Sequence, residues 1–423
     1  MRKIFTISII LTICNIANAQ ELTLARALEE ANSHRVENAT NEVLIQLIEQ
    51  RIQKNQKLPL LFGEANLQRN LIVPTTPVPA IAFNPNALPG EVIPLQFATD
   101  WTAKAGLQLS IDLYNPEKKW NNKQVNNQLK TAQIREEITK QNFTNELIDI
   151  YAQTYLAQKQ LEFAEQNIEM YNQTFEIIKI RHEAGRASAI ELNNAQKKQY
   201  ELQILLLEAQ SIYKNKLLNF SEYIDIQSFD KLSTNWKEIE SYIISNIYKD
   251  SDELFLEKIS KEDQQQSLYN RLLPTVTFNG YLGSQYYQND LKLFNAENWF
   301  GHSYVNIALK LPISDWYDKN NKQRKYALEL EIANNNLQHA IRKEAIENNQ
   351  ISNEVSLLYN KIQLLEKTVE MVRKNVDITR AKVEEGTLLI SDYNNEMELY
   401  FEENKKLWQT QYEWISKQLN VQN

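Results

Sequence analysis

The chain has 423 residues, a formal net charge of −8, and 43% hydrophobic against 24% charged residues. That balance excludes general disorder, and the acidic surplus leaves no basic stripe for phosphates, so no nucleic acid is expected as a partner. The length suffices for one large core or for two copies of a smaller plan.

Arg2 and Lys3 precede an apolar run over residues 4–14, and Ala17-Asn18-Ala19 has the small-x-small form of a cleavage site. Residues 1–19 are expected to be a secretory signal, cut after Ala19 and too short to persist as a membrane span. Cys14 is the only cysteine and sits inside that signal. Ile13 before it suits a lipid anchor poorly, although an anchor there stays open. The rest of the chain can form no disulfide and no thiolate metal site, which fits export to the periplasm or outer membrane.

Residues 20–220 read as a first structural repeat. Leu22, Leu24, Ala27, Leu28 and Ala31 are spaced as in a helix, with Thr23 as its N-cap. Helical character continues to about Lys57, and Pro59 stops it. Over about 59–73, Leu61, Gly63, Ala65 and Leu67 then alternate with Glu64, Asn66 and Gln68. Over about 101–113, Leu107, Leu109 and Ile111 alternate with Gln108, Ser110 and Asp112. A period of two predicts strands. The proline-dense residues 74–94 between them have no period and are expected as a long loop, one that could also meet a surface partner. From about Asn115 the spacing turns to threes and fours, as in Ile168, Tyr171, Phe175, Ile178 and His182, a near-heptad seam. It breaks near Gly185 and resumes towards Phe220.

Residues 221–250 are the least periodic and are expected to link two halves. Residues 251–423 then repeat the order: helix to Pro274, strands over about 274–287 and 301–313, and a long helix whose seam runs through Ile362, Leu365, Val369, Val376 and Val383. Gly386 breaks that helix, 201 residues after Gly185. Such self-similarity is internal duplication, with the halves packed together rather than separate.

Two strand pairs with one apolar parity each leave open edges. In a soluble protein the apolar face would pack on helices. In an exported chain, several copies can instead pool strands into a closed barrel, apolar parity to lipid and polar parity to water. Trp101, Trp299, Trp316, Tyr114 and Tyr317 lie at strand ends, where aromatic belts belong. Chemistry is sparse. His34, His182, His302 and His339 form no HExxH and no close cluster, and no phosphate loop is present. Neither catalytic residues, a cofactor nor a metal is expected.

In order and duplication, LTLARALEEA, GLQLSIDLYNP, ALKLPISDWYDKNN, EAGRASAIELNNAQ and EEGTLLISDYNNEM resemble the TolC-like outer-membrane efflux protein family over essentially the whole chain after the signal. The resemblance implies a mainly α fold with a transmembrane β-barrel. A homotrimer would supply four strands per copy to a twelve-stranded barrel in the outer membrane of a Gram-negative bacterium, continued by a periplasmic helical tube. It implies a passive exit duct of a tripartite efflux pump, opened at its tip by a periplasmic adaptor and an inner-membrane transporter. A type I protein secretion channel is the alternative within the family, and a periplasmic coiled-coil scaffold the alternative outside it. By the resemblance, Gly185, Arg186, Ala187 and Ser188, with Gly386, Thr387, Leu388 and Leu389, form the two hairpins that dock the adaptor. Ser188 would cap the outgoing helix of the first hairpin, and Thr387 or Ser391 that of the second. Asp392 takes the place of the family's first acidic gate residue, Asn395 stands where the second acid would be, and Glu384 and Glu385 could add negative field. An ordinary helix turn with solvated acids is the plainer reading of the same residues.

Overall fold

The computed structural model describes residues 21–224, 229, 231–243 and 249–420. The expected signal with Cys14, and parts of the expected link, lie outside the described residues. In chain order the helices and strands are β1 (Glu21–Leu22), α1 (Leu24–Glu30), α2 (His34–Asn55), β2 (Leu60–Arg69), β3 (Thr75–Pro79), β4 (Val92–Gln96), β5 (Trp101–Tyr114), α3 (Pro116–Glu183), α4 (Ala189–Phe220), β6 (Lys231–Leu232), α5 (Trp236–Ile239), α6 (Asp250–Arg271), β7 (Thr275–Gln288), β8 (Trp299–Lys310), α7 (Lys319–Glu385) and α8 (Ile390–Gln418). The 68 residues of α3 and the 67 of α7 contain no glycine, and the only proline is Pro116 at the first helical position, where its missing N–H costs nothing.

The chain forms two compact units, and each takes segments from both sequence halves. One comprises residues up to 40, 134–252 and from 339 onward. Its larger core gathers Leu22, Leu24, Tyr151, Phe220, Leu232 and Trp414. Part of the weakly periodic link is built into this core. Strands β1 and β6 pair in parallel, and the Gln158 amide brackets the Leu232 backbone, donating to its O at 3.1 Å and accepting from its N–H at 2.9 Å. The Tyr151 hydroxyl donates to Leu22 O at 2.8 Å and accepts from Thr234 N at 3.2 Å. Buried polar groups are thereby satisfied, which tethers the amino-terminal segment to the link.

The second unit, residues 41–133 and 253–338, holds an antiparallel sheet of order β2-β5-β7-β8. The alternation read from the sequence is retained. Leu61, Leu107, Leu282, Val305, Ile307 and Leu309 lie on one parity and stay exposed. On the other parity, hydrogen bonds run across three strands: Ser110 Oγ to Asn279 Oδ1 at 2.9 Å, and Asn279 Nδ2 to Asn306 Oδ1 at 3.1 Å. Lys104 pairs with Glu64 at 3.2 Å and lies 4.1 Å from the centre of the Tyr281 ring. Tyr281 is nearly fully buried: its hydroxyl end lies over Gly106 and Gly283, paired in register, and its ring meets Lys104, His302 and Tyr304. A Cβ at either glycine would meet the Tyr281 hydroxyl at 2.5 Å and neighbouring backbone within 2.7 Å. Glycine is required here for close approach of two strands and a ring.

Four sequence expectations are corrected. The first helix does not run on to Lys57: Ala31 is extended, and Ser33 Oγ accepts from Val36 N, starting a new helix. The proline-rich loop contains an antiparallel ribbon, β3 with β4, in which Pro77 faces Pro94. A two-stranded ribbon is all edge, where proline is tolerated. The first strand is shorter than expected, ending at Arg69 rather than near 73. The last is displaced, beginning at Trp299 and ending at Lys310, after which Ile313–Trp316 forms a 3₁₀ turn behind Pro312.

Candidate docking and gate site at the paired glycine turns

Both glycine turns lie in the first unit, and their hydrogen bonds repeat. Gly185 has φ of 74° and Gly386 of 84°. In the first turn Arg186 N donates to Arg181 O at 2.7 Å and Gly185 N to His182 O at 2.9 Å. In the second, Thr387 N donates to Lys382 O at 2.9 Å and Gly386 N to Val383 O at 3.0 Å. This is the Schellman pattern, in which a left-handed residue after the helix satisfies its last carbonyls. Both glycines therefore end the incoming helices, as expected from the sequence.

The helices that leave the turns start differently. Ser188 caps α4 as expected: its Oγ accepts from Glu191 N at 3.1 Å, and Glu191 Oε2 accepts from Ser188 N at 2.7 Å. This capping box satisfies two otherwise orphaned donors. At α8 the expectation is corrected, since neither Thr387 nor Ser391 is the N-cap. Leu389 occupies that position, and Asp392 Oδ2 accepts from Leu389 N at 3.3 Å. Leu389 and Asp392 stand 201 residues after Ser188 and Glu191, so the duplicated cap keeps its acid and loses its hydroxyl. Thr387 Oγ1 instead donates back to Lys382 O at 3.0 Å, closing the preceding helix.

Sequence reasoning missed what ties the turns together. Arg181 Nη1 donates to Val383 O at 2.7 Å, and its guanidinium lies against Gly386. A cation on the last carbonyls of α7 is favourable by about 0.3–1 kcal/mol from the helix dipole alone. Arg380 does the reverse, donating to Gln173 Oε1 at 2.9 Å while pairing with Glu384 at 2.9 Å. The His182 Nδ1 lies 2.9 Å from Ala187 O and must carry the proton to donate to it. Below the turns, Tyr171, Ile178, Ala195, Val376, Val383 and Tyr393 are buried in one cluster drawn from α3, α4, α7 and α8. The Tyr171 and Tyr393 rings stack at 6.1 Å. The Tyr171 hydroxyl contacts Asn394 Oδ1 at 3.0 Å and Ala195 O at 3.2 Å. Among the described residues the Tyr393 hydroxyl has only the neighbouring Thr174 hydroxyl to pair with. Burial pushes the Tyr393 phenol up to about 12 and raises that of Tyr171 as well. The near-heptad spacing pointed to Tyr171, but nothing local in the sequence marked Arg181 as a cross-turn donor.

The sequence-predicted residues fall into two groups around this packing. Gly185, Arg186, Ser188, Gly386, Thr387 and Leu389 are exposed, with Ala187 and Leu388 half-buried. Ile180, Ile190 and Leu389 add exposed apolar surface. Among the acids, Glu384 is engaged by Arg380, Asp392 by the Leu389 backbone, and both are half-buried, whereas Glu385 and Asn395 are exposed. Among the described residues no group of His, Cys, Asp and Glu could hold a metal ion, and no helix is long and apolar enough to cross a membrane.

Comparison with known proteins bears on the fold that carries these turns. Residues 96–224 match the family model described as outer membrane efflux protein. No curated protein matches the sequence. Among solved structures, the CusC transmembrane channel is similar at a TM-score of 0.72 and 14% identity, covering 94% of this chain and 90% of that one. The CmeC outer membrane channel of Campylobacter jejuni is similar at 0.71 and 15%, covering 94% and 84%. VceC, an outer membrane protein of Vibrio cholerae, is similar at 0.71 and 13%, covering 94% of both chains. At such identities the likeness establishes the fold, which is that of TolC-like outer-membrane channels, and the family match over 96–224 supports the resemblance read from the sequence.

Proposed function

We propose, from that fold and that family match, that the chain is a passive outer-membrane exit duct of a tripartite efflux pump. The observation that carries the reading is the four-stranded sheet. Its apolar parity is exposed at Leu61, Leu107, Leu282, Val305, Ile307 and Leu309, and among the described residues β2 and β8 leave both edges unpaired. Alone, such a sheet is an aggregation hazard. Three copies joined edge to edge would close a twelve-stranded barrel, with the apolar parity in lipid and the Ser110–Asn279–Asn306 ladder towards water. Trp101 and Trp299, at the strand ends on that same apolar parity, suit an interfacial belt. The glycine turns would then be the periplasmic tip. Their exposed residues would meet an adaptor, and release of the Arg181 and Arg380 bonds would accompany opening. Transport energy would come from an inner-membrane partner.

The test is the mass and shape of the membrane-extracted protein in detergent. A trimer with a closed barrel joined to a hollow helical stalk is expected. A monomer or dimer soluble without detergent would overturn the reading in favour of a periplasmic scaffold.

A further inference from the structure

At the loop end of the sheet, we infer that an apolar contact between copies of this chain seals each junction of the barrel: Phe294 of one copy packs on Leu71 and Ile72 of the next. The inference rests on the barrel reading and adds a contact outside the strands. Phe294, Leu71 and Ile72 are the three most exposed large hydrophobic side chains among the described residues, at 104%, 89% and 88%. They sit just beyond the two free edges. Strand β2 ends at Arg69, and Leu71 and Ile72 follow it; β8 begins at Trp299, and the loop carrying Phe294 precedes it. Since each neighbouring pair in the order β2-β5-β7-β8 is antiparallel, β2 and β8 run in opposite directions. Joining β8 of one copy to β2 of the next therefore brings the end of β2 beside the start of β8.

Two observations select protein rather than lipid as the cover. Leu71, Ile72 and Phe294 lie outside the strands, in segments that also carry Asn70, Asp290, Lys292 and Asn295, whose polar groups call for water rather than lipid. Both segments are also held in place. The Trp299 indole N–H donates to Leu293 O at 2.7 Å and Lys292 N to the Tyr286 hydroxyl at 2.8 Å before Phe294, and Asn295 N donates to Lys292 O at 3.2 Å after it, which braces the loop around Phe294. Asn70 N donates to Asp100 O at 2.8 Å and Asn70 Nδ2 to Thr99 O at 2.7 Å, which fixes the start of the Leu71 segment. A fully exposed aromatic on a braced loop is pre-organised for a contact, because little freedom remains to be lost.

The sole cysteine is Cys14, upstream of the expected cleavage point, so introduced thiols can be read cleanly. The full chain carrying Leu71→Cys with Phe294→Cys is treated in membranes with a short bis-maleimide. A control carries Ala65→Cys with Ser303→Cys, midway along the two free edges. Covalently linked trimer from the first pair, lost in either single variant, is the expected result. Linked trimer from the control alone, in a protein that is trimeric in detergent, would overturn the contact while the barrel stands, and would leave lipid or water at Phe294. A protein that is not trimeric, with neither pair linking, would overturn both.

Discussion

At Gly386 an added methyl would meet the Arg181 guanidinium at 2.6 Å, whereas at Gly185 it would meet nothing within 4 Å. Both glycines are left-handed, so alanine costs about 1–2 kcal/mol at either from backbone strain. Gly386→Ala also crowds Arg181 Nη2, the end of a flexible side chain, and so loosens the Nη1 bond to Val383 O, whose complete loss would cost about 1.5–3 kcal/mol. Thermal unfolding should thus rank Gly386→Ala clearly below Gly185→Ala, and the two equal midpoints would remove Arg181 from the account. In an Arg181→Ala background the difference should shrink, since the two residues share one contact. The stacked tyrosines make a second pair of opposites. Tyr171→Phe loses the bonds at Asn394 and Ala195 and should cost about 1–2 kcal/mol, while Tyr393→Phe removes a hydroxyl that neighbours only that of Thr174 and should cost less, about 0.5–1 kcal/mol. Alkali tests the buried Tyr393 phenol itself. Tyr393 is raised from 10.0 to about 12 by burial, so the unfolded chain loses its proton first. The stabilisation from the neutral phenol is complete below about pH 10 and falls as pH rises towards 12. Stability measured across that window should decline less steeply in Tyr393→Phe than in the parent; parallel curves would exclude this phenol as a source of the slope.

The helices that leave the two turns test the duplication as elements. Ser188→Ala breaks the capping box and should lower stability by about 1 kcal/mol. Leu389 already has extended backbone at the equivalent position, with φ −81° and ψ 151°, and is mostly exposed. Leu389→Ser should therefore stabilise α8 by about 0.5–1 kcal/mol by supplying the missing hydroxyl. If Leu389 also meets an adaptor, the same variant gains stability and loses efflux in a susceptibility assay; a variant that keeps full efflux would remove Leu389 from the docking surface. These elements also show what was legible in the sequence. The glycines, Ser188, the strand parity and the seam through Ile178 and Val383 could be read because each is a local pattern with a local cause. The cap at Leu389 could not, because an apolar residue gives no cap signal and the deciding bond comes from Asp392, three residues on. Arg181 and Arg380 were hidden for a different reason. Their acceptors, Val383 O and Gln173, lie 202 and 207 residues away in sequence, and only packing of the two halves brings them together. The β3–β4 ribbon was missed because its prolines argue against strands except at edges.

For the assembled molecule the sheet makes the sharpest demand, since neighbouring residues on β8 are assigned opposite solvents. Val305 is 73% exposed and shares the parity of Ile307 and Leu309, while Asn306 bonds across to Asn279 at 3.1 Å. In a membrane barrel, lysine at Val305, near the middle of the strand, should cost about 2–4 kcal/mol from contact with lipid. Lysine at Asn306 should cost about 1 kcal/mol, the worth of the lost hydrogen bond, because its charge enters water. The helix-packed alternative gives a different answer. If a helix of another copy covered the apolar face in water, lysine at Val305 would break that contact but leave a soluble, folded chain. The yield of trimer recovered from outer membranes therefore discriminates between the two. A large loss for Val305→Lys with near-parent yield for Asn306→Lys follows from the barrel, and equal yields would mean that the two parities do not divide lipid from water.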